Sequence, residues 1–199
     1  FVARARPDGY TLFYSHLNPI AIAPSLQPKP PYDPVKDFAP ITLIASGPAV
    51  LVVRSDFPAK TLAEFTAYAK EHPGKVSYGS VGIGSNTHLA GSMLAQSAKV
   101  EMVHVPYRGS GAIQTDIVGG QISSAFVNLS GALGLIQDGK LRPLAVSTRQ
   151  RSSVLPQVPA VAGAAGKPGH AVVDWTCPHC GAWDNAHALP IAERGFSST

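Results

Sequence analysis

Apolar and polar positions along this chain switch repeatedly between two periods, most clearly between Ile41 and Ser147. Short apolar or alternating runs predict strands, and apolar residues spaced three and four apart predict helices. Strands are expected at Tyr10 to Ser15, Ile41 to Ala45, Ala49 to Arg54, Val76 to Gly79, Glu101 to Val105, Ile122 to Val127 and Leu141 to Ser147. A helical piece is expected around Ile20 to Leu26, followed by a proline-rich link from Pro28 to Pro34. Longer helices are expected from Thr61, over Asn86 to Ser97, near Ile113 to Val118 and over Gly131 to Gln137.

The first long helix announces its start, because Thr61 followed by Glu64 is a capping box that satisfies free amides reciprocally. Leu62, Phe65 and Ala69 mark its buried face; in the next helix Leu89, Ala90, Met93 and Leu94 are expected inward. Strands separated by helices of this length need crossover connections, which predicts an α/β chain with a largely parallel sheet. Ligands of such sheets sit beyond the carboxyl ends of the strands. Two loops have that placement, Ser80 to Thr87 and Pro106 to Ala112.

Composition narrows the class. The 199 residues are 45% hydrophobic and 14% charged, enough to bury a core. A net charge of +4 suits an anionic ligand, but Lys and Arg are scattered, which argues against nucleic acid. No run of about 18 apolar residues is present to span a membrane. Phe1 to Tyr10 lacks the apolar stretch of a secretory signal, so either a cytosolic protein or one whose beginning has been lost is expected. The cysteines, Cys177 and Cys180, both fall in the last quarter.

Of the two loops, Tyr78-Gly79-Ser80-Val81-Gly82-Ile83-Gly84-Ser85-Asn86-Thr87-His88 has the richer chemistry. Glycines admit a ligand close to the backbone, and the amides and dipole at a helix start favour an anion. Ser85 stands where a Walker motif needs Lys, and Thr87 where a dinucleotide fingerprint needs Gly, so a nucleotide is not expected. The loop fits a carboxylate or phosphate cradle and an ordinary capped turn equally well. In Tyr107-Arg108-Gly109-Ser110-Gly111-Ala112, Arg108 fits either a carboxylate partner or a solvated surface charge.

No catalytic residue and no enzyme are expected: there is no Gly-x-Ser-x-Gly elbow, no His-Glu-x-x-His and no close carboxylate pair near either loop. His88 and His104 read more simply as capping or core-edge residues than as bases. Cys177-Pro178-His179-Cys180, with His170 and His187 nearby, supplies half of a zinc site or a thiol redox motif. That pair carries the alternative reading, a zinc or thiol protein. A regulator's effector domain is a third, and no helix-turn-helix segment supports it.

Several ordered motifs share a resemblance. They are Pro7-Asp8-Gly9-Tyr10-Thr11-Leu12, Tyr32-Asp33-Pro34-Val35-Lys36-Asp37-Phe38, the Ser80 to Gly91 stretch, His104-Val105-Pro106-Tyr107-Arg108-Gly109, and Gly139-Lys140-Leu141-Arg142-Pro143-Leu144-Ala145-Val146. Their order and spacing resemble the Bug family, the extracytoplasmic solute receptors of tripartite tricarboxylate transporters, from about Ala3 to Ala165. The resemblance implies a type II periplasmic-binding-protein fold, with one complete lobe and part of the other, closing over a small carboxylate. Residues 1–54 would be a remnant of the first lobe with the crossing strand, 55–147 the second lobe, and 148–199 a return segment with a divergent tail from about 166.

Carried over by position, the resemblance places ligand contacts on Ser80, Gly84, Ser85, Asn86, Thr87 and His88, with Tyr107, Arg108 and Gly109 opposite. Ser15 and Asn128 are further candidates, and Val127 stands where many relatives have Asp, which favours a plain organic acid over an amine-bearing one. The family's leading strand and glycine-rich loop, and its closing Trp-centred segments, have no counterpart here beyond Trp175. The expectation is a truncated periplasmic receptor without its signal peptide, a monomer with no cofactor or metal. Its partners would be a carboxylate and membrane transporter subunits, and its function would be impaired by the truncation.

Overall fold

The structure is a computed structural model that describes residues 1–161 apart from positions 17, 27, 28, 30, 45, 46 and 149. The chain divides into two compact units, one built on Phe1–Ser46 and the other on Gly47–Trp175.

In the first unit a helical turn at Asn18–Ile22 runs into α1, Ala23–Leu26, where a helical piece was expected. Asp33 organises the turn after it, accepting the Val35 and Lys36 amides on one carboxylate oxygen at 2.9 and 3.1 Å. Those two bonds hold the Asp33 carboxyl below its ordinary range. Phe38 packs against Phe13 and the edge of Tyr32. The expected strands at Tyr10 to Ser15 and Ile41 to Ala45 have no sheet pairing among the described residues, and Tyr10, Leu12, Ile41 and Ile44 are exposed. Apolar patterning proposes a strand, but a strand exists only through its neighbour's hydrogen bonds.

Among the described residues the second unit contains a five-stranded sheet. In chain order its elements are β1 (Ala49–Arg54), α2 (Leu62–Glu71), β2 (Val76–Ser80), α3 (Asn86–Ala98), β3 (Met102–Pro106), α4 (Ser110–Val118), β4 (Ser124–Asn128), α5 (Leu129–Gln137) and β5 (Leu141–Val146). The strand order is β3-β2-β4-β1-β5. β2 is parallel to β3 and β4, whereas β1 is antiparallel to both β4 and β5. The sheet is therefore mixed rather than largely parallel. As the first strand of its unit, β1 follows no crossover helix, so the rule that aligns successive strands does not fix its direction.

Each face of the sheet is covered by helices. Leu51, Val53 and Phe126 meet Phe65 and Ala69 of α2 and Ala90 and Leu94 of α3. Val50, Val52, Ala125 and Val127 meet Ile113 and Ile117 of α4 and Leu129 and Ala132 of α5. A strand buried on both sides carries an unbroken apolar run, which is why Ala49 to Val53 shows no alternation.

Helix starts follow local chemistry. Thr61 accepts the Glu64 amide at 3.1 Å, while Glu64 takes the Lys60 amide at 2.7 Å instead of that of Thr61, so the capping box is displaced by one residue. On α3 the buried positions are Thr87, Ala90, Gly91 and Leu94, and Met93 is exposed. Tyr78 sets that face: its ring lies directly beneath Gly91, where any added Cβ would be 2.2 Å away.

Candidate functional site

The strands β2, β3, β4 and β5 all end at one edge of the sheet, and β1 begins there. At this carboxyl edge β2 leads through residues 81–85 into α3, β3 leads through Tyr107 and Arg108 into α4, and β4 passes at Asn128 directly into α5. Three helix amino termini thus open beside three adjacent strand ends.

The loop after β2 is bound to itself. Gly82 and Gly84 adopt φ of +123° and +74°, conformations that side-chain-bearing residues rarely reach. The Val81 amide donates to Thr87 Oγ1 at 3.1 Å, the Gly82 amide to Ser80 Oγ at 3.2 Å, and the Gly84 amide to His88 Nδ1 at 3.1 Å. The Ser85 amide reaches the Gly82 carbonyl, the Thr87 amide Asn86 Oδ1 at 2.9 Å, and the His88 amide Ser85 Oγ at 3.2 Å. Ser80, Ser85 and Thr87 are themselves buried. Here the capped-turn reading is what the geometry displays: the amides of Val81, Gly82, Gly84, Ser85, Thr87 and His88 are engaged within the loop.

The starts of α4 and α5 differ. Gly109 is the N-cap of α4 and has no side chain to cap with; Asn128 is the N-cap of α5, exposed, and its side chain makes no capping bond. Gln114 donates to the Gly131 carbonyl at 3.2 Å, tying α4 to the first turn of α5. The Tyr107 amide donates to the Ser80 carbonyl at 2.8 Å and joins the loop after β3 to the end of β2. The Tyr107 hydroxyl donates to Asp116 at 2.6 Å. Burial first, and then this carboxylate, pushes the phenol up to about 12. Tyr107 therefore presents its ring, not a free hydroxyl. Arg108 is exposed and makes no ion pair among the described residues.

The structure gathers Ser80, Gly84, Ser85, Asn86, Thr87, His88, Tyr107, Arg108, Gly109 and Asn128 at the carboxyl edge of one unit. Ser15 belongs to the first unit, where its hydroxyl donates to the His16 carbonyl at 3.3 Å. Val127 is buried in the core beneath α4 and α5, so its side chain has no face toward solvent at this edge. Two residues that sequence reasoning left outside the site belong with it. His104 stands opposite Tyr78 in the β2–β3 register, with Nε2 2.6 Å from Ser80 Oγ and its ring 4.0 Å from that of His88. Asp116 orients Tyr107. The two-residue alternation through Tyr78 and Ser80 would have exposed the first link had the parallel pairing been known. Among the described residues no group of three His, Cys, Asp or Glu side chains could hold a metal, and the Cys177 and Cys180 pair lies outside those residues.

The profile of the tripartite tricarboxylate transporter family receptor matches residues 1–177. The chain belongs to that family. Its receptors are not an enzyme class, and the fold is that of a periplasmic binding protein. The chain superposes on Rpa4515 of Rhodopseudomonas palustris with adipate at a TM-score of 0.77 and 33% identity, over 85% of this chain and 56% of that one. MatC from Rhodopseudomonas palustris with bound malate gives 0.74 and 34%, over 84% and 57%. The periplasmic binding protein BugD gives 0.73 and 33%, over 81% and 54%. A relative from the tcbD-tcbE intergenic region of Pseudomonas sp. (strain P51) is 37% identical over 174 residues, 87% of this chain and 52% of that one. The chain spans about half the length of the curated relatives it matches.

Proposed function

We propose that the carboxyl edge of the Gly47–Trp175 unit contributes one side of a site for a small organic carboxylate, captured in the periplasm for a tripartite tricarboxylate-type transporter. The observation that carries the reading is the convergence of three helix amino termini at one sheet edge, two of them without side-chain caps. Amides at such ends carry partial positive charge directed outward and stabilise an anion placed there. Two of the similar structures hold adipate and malate, both dicarboxylates. Arg108, exposed beside the α4 start, adds a full positive charge suited to a carboxylate. The remaining roles follow the same geometry. Tyr107 and His88 would wall the ligand, Asn128 would donate from its amide, and the loop after β2 would shape the cleft more than charge it. The receptor would work as a monomer that hands its ligand to the membrane subunits.

Amide chemical shifts recorded during titration with malate, adipate and, as a control, a neutral diol test the reading. Malate and adipate are expected to move residues 108–112 and 128–132, and the diol to leave them in place. Calorimetry on a chimera carrying the leading segment of a full-length relative gives the affinity. A chimera that folds and binds no dicarboxylate or tricarboxylate would overturn the proposal.

A further inference from the structure

Two imidazoles hold the two ends of the loop between β2 and α3. His88, in the first turn of α3, accepts the Gly84 amide on Nδ1 at 3.1 Å. A backbone amide can only donate, so this bond requires Nδ1 to be bare and the ring neutral. At the other end His104 Nε2 lies 2.6 Å from Ser80 Oγ. The same hydroxyl lies 3.1 Å from the Gly82 carbonyl and accepts the Gly82 amide at 3.2 Å, so His104 is joined through Ser80 to the first turn of the loop. The two rings are in contact, centroids 4.0 Å apart, and the Tyr78 ring backs them at 5.0 Å from His104 and 6.4 Å from His88.

Among the described residues the surroundings offer this pair no compensating charge. Among the described residues neither ring has a carboxylate within ion-pair distance. From β2 the pair meets Tyr78, whose hydroxyl is bonded to Ser92 of α3 at 3.0 Å. On α2, which covers the same face, Tyr68 and His72 stack on each other at 4.3 Å. Lys99 and Glu101 lie at the opposite end, between α3 and β3, and past the exit of β3 the next charge is another cation, Arg108.

We propose that the His88–His104 pair is a proton-operated latch: on mild acidification the two rings take up one proton between them, and a proton on His88 Nδ1 detaches Gly84 and frees the loop. The balance is simple. Solvent supplies the proton, Nδ1 changes from acceptor to donor, and two donors then face each other where a bond had been. A second proton is opposed by the first across touching rings. Burial, and then the charge of His88, hold the His104 imidazole below the ordinary histidine range. His88 is the ring whose protonation has a mechanical consequence, because its Nδ1 is the acceptor of the Gly84 amide. An opened latch releases the Gly84 amide and sets a cation beside it. If carboxylate capture at this edge is correct, affinity rises as the latch opens.

Imidazole and amide nitrogen spectra of the isotopically labelled chain, followed from about pH 8 to about pH 5, test the latch without any carboxylate. The expected result is uptake of one proton by the pair, with the Gly84 amide resonance moving in the same step and with the same midpoint. In His88→Asn the side-chain oxygen takes the place of Nδ1 but does not titrate. There the Gly84 resonance should stay flat, and His104 should titrate at a higher pH than in the parent. Two independent protonations with Gly84 unmoved, or a Gly84 step that persists in His88→Asn, would overturn the latch. Because no ligand enters the measurement, failure of carboxylate binding and failure of the latch are read separately.

Discussion

Ser147 and Ala49, 98 residues apart in the chain, exchange two hydrogen bonds at the carboxyl edge. The Ser147 amide donates to the Ala49 carbonyl at 2.8 Å, and the Ala49 amide donates to the Ser147 hydroxyl at 3.0 Å. The first residue of β1 is thereby fastened to the residue just past β5, so the segments by which the chain enters and leaves the sheet are held side by side.

Replacement of Ser147 by Ala would leave the buried Ala49 amide without its acceptor. A buried donor so orphaned costs about 1–3 kcal/mol. The urea midpoint of Ser147→Ala is expected to fall by a corresponding amount at an unchanged slope, and a midpoint equal to the parent's would show that water replaces the hydroxyl.

Gly91 and Gly134 make a contrasting pair. An added Cβ at Gly91 would lie 2.2 Å from the Tyr78 ring, whereas at Gly134 nothing lies within 4 Å. Gly91→Ala is expected to destabilise by about 1–3 kcal/mol through overpacking. Gly134→Ala, in α5, should stabilise by roughly 0.5–1 kcal/mol. Thermal melts of the two variants should move in opposite directions, and in Gly91→Ala the His88 and His104 ring resonances should shift with the displaced Tyr78.

Arg142 donates to the carbonyls of Phe57 and Ala59 at 3.0 and 3.2 Å, and also to that of Ser55. It pins the connection between β1 and α2 against β5. Arg142→Met keeps the aliphatic stem but removes every donor. A loss of about 1–3 kcal/mol is expected, and proteolysis between residues 55 and 61 should accelerate.

Tyr107 carries a pH signature. Its phenol is raised from 10.0 to about 12, by burial and then by Asp116. A group raised in the fold contributes stability that is complete below its unfolded value and lost as pH climbs through its folded one. The parent should therefore lose stability between about pH 10 and about pH 12, and Tyr107→Phe should show a flatter curve in that window. Tyrosinate absorbance supplies the check, since one of the six tyrosines should ionise late and be missing from the variant's titration.

Much of the second unit was legible because its signals are local. Thr61 and Ser85 cap helices that begin where their chemistry says, and Leu62, Phe65 and Ala69 are buried as their spacing predicts. What escaped depends on partners remote in sequence. The run Ala49 to Val53 declares a buried strand but not its antiparallel direction, which depends on Asn128 and Ser147 at its side. Met93 fits the apolar stripe of α3, yet Gly91 takes the inward place because Tyr78 occupies the space beneath it. The carboxyl edge was legible as a place, and the engagement of its amides was not, since glycines and hydroxyls of one composition can serve a ligand or one another.

The self-bonded loop after β2 changes what recognition there would mean. With the Val81, Gly82, Gly84 and Thr87 amides already committed, an arriving anion could reach those four donors only by exchange, breaking one bond for each that it makes. Such a trade is nearly neutral in free energy for any single contact. The loop would thus discriminate by the shape of the guest that completes the swap, while holding power would have to come from the uncapped helices alongside.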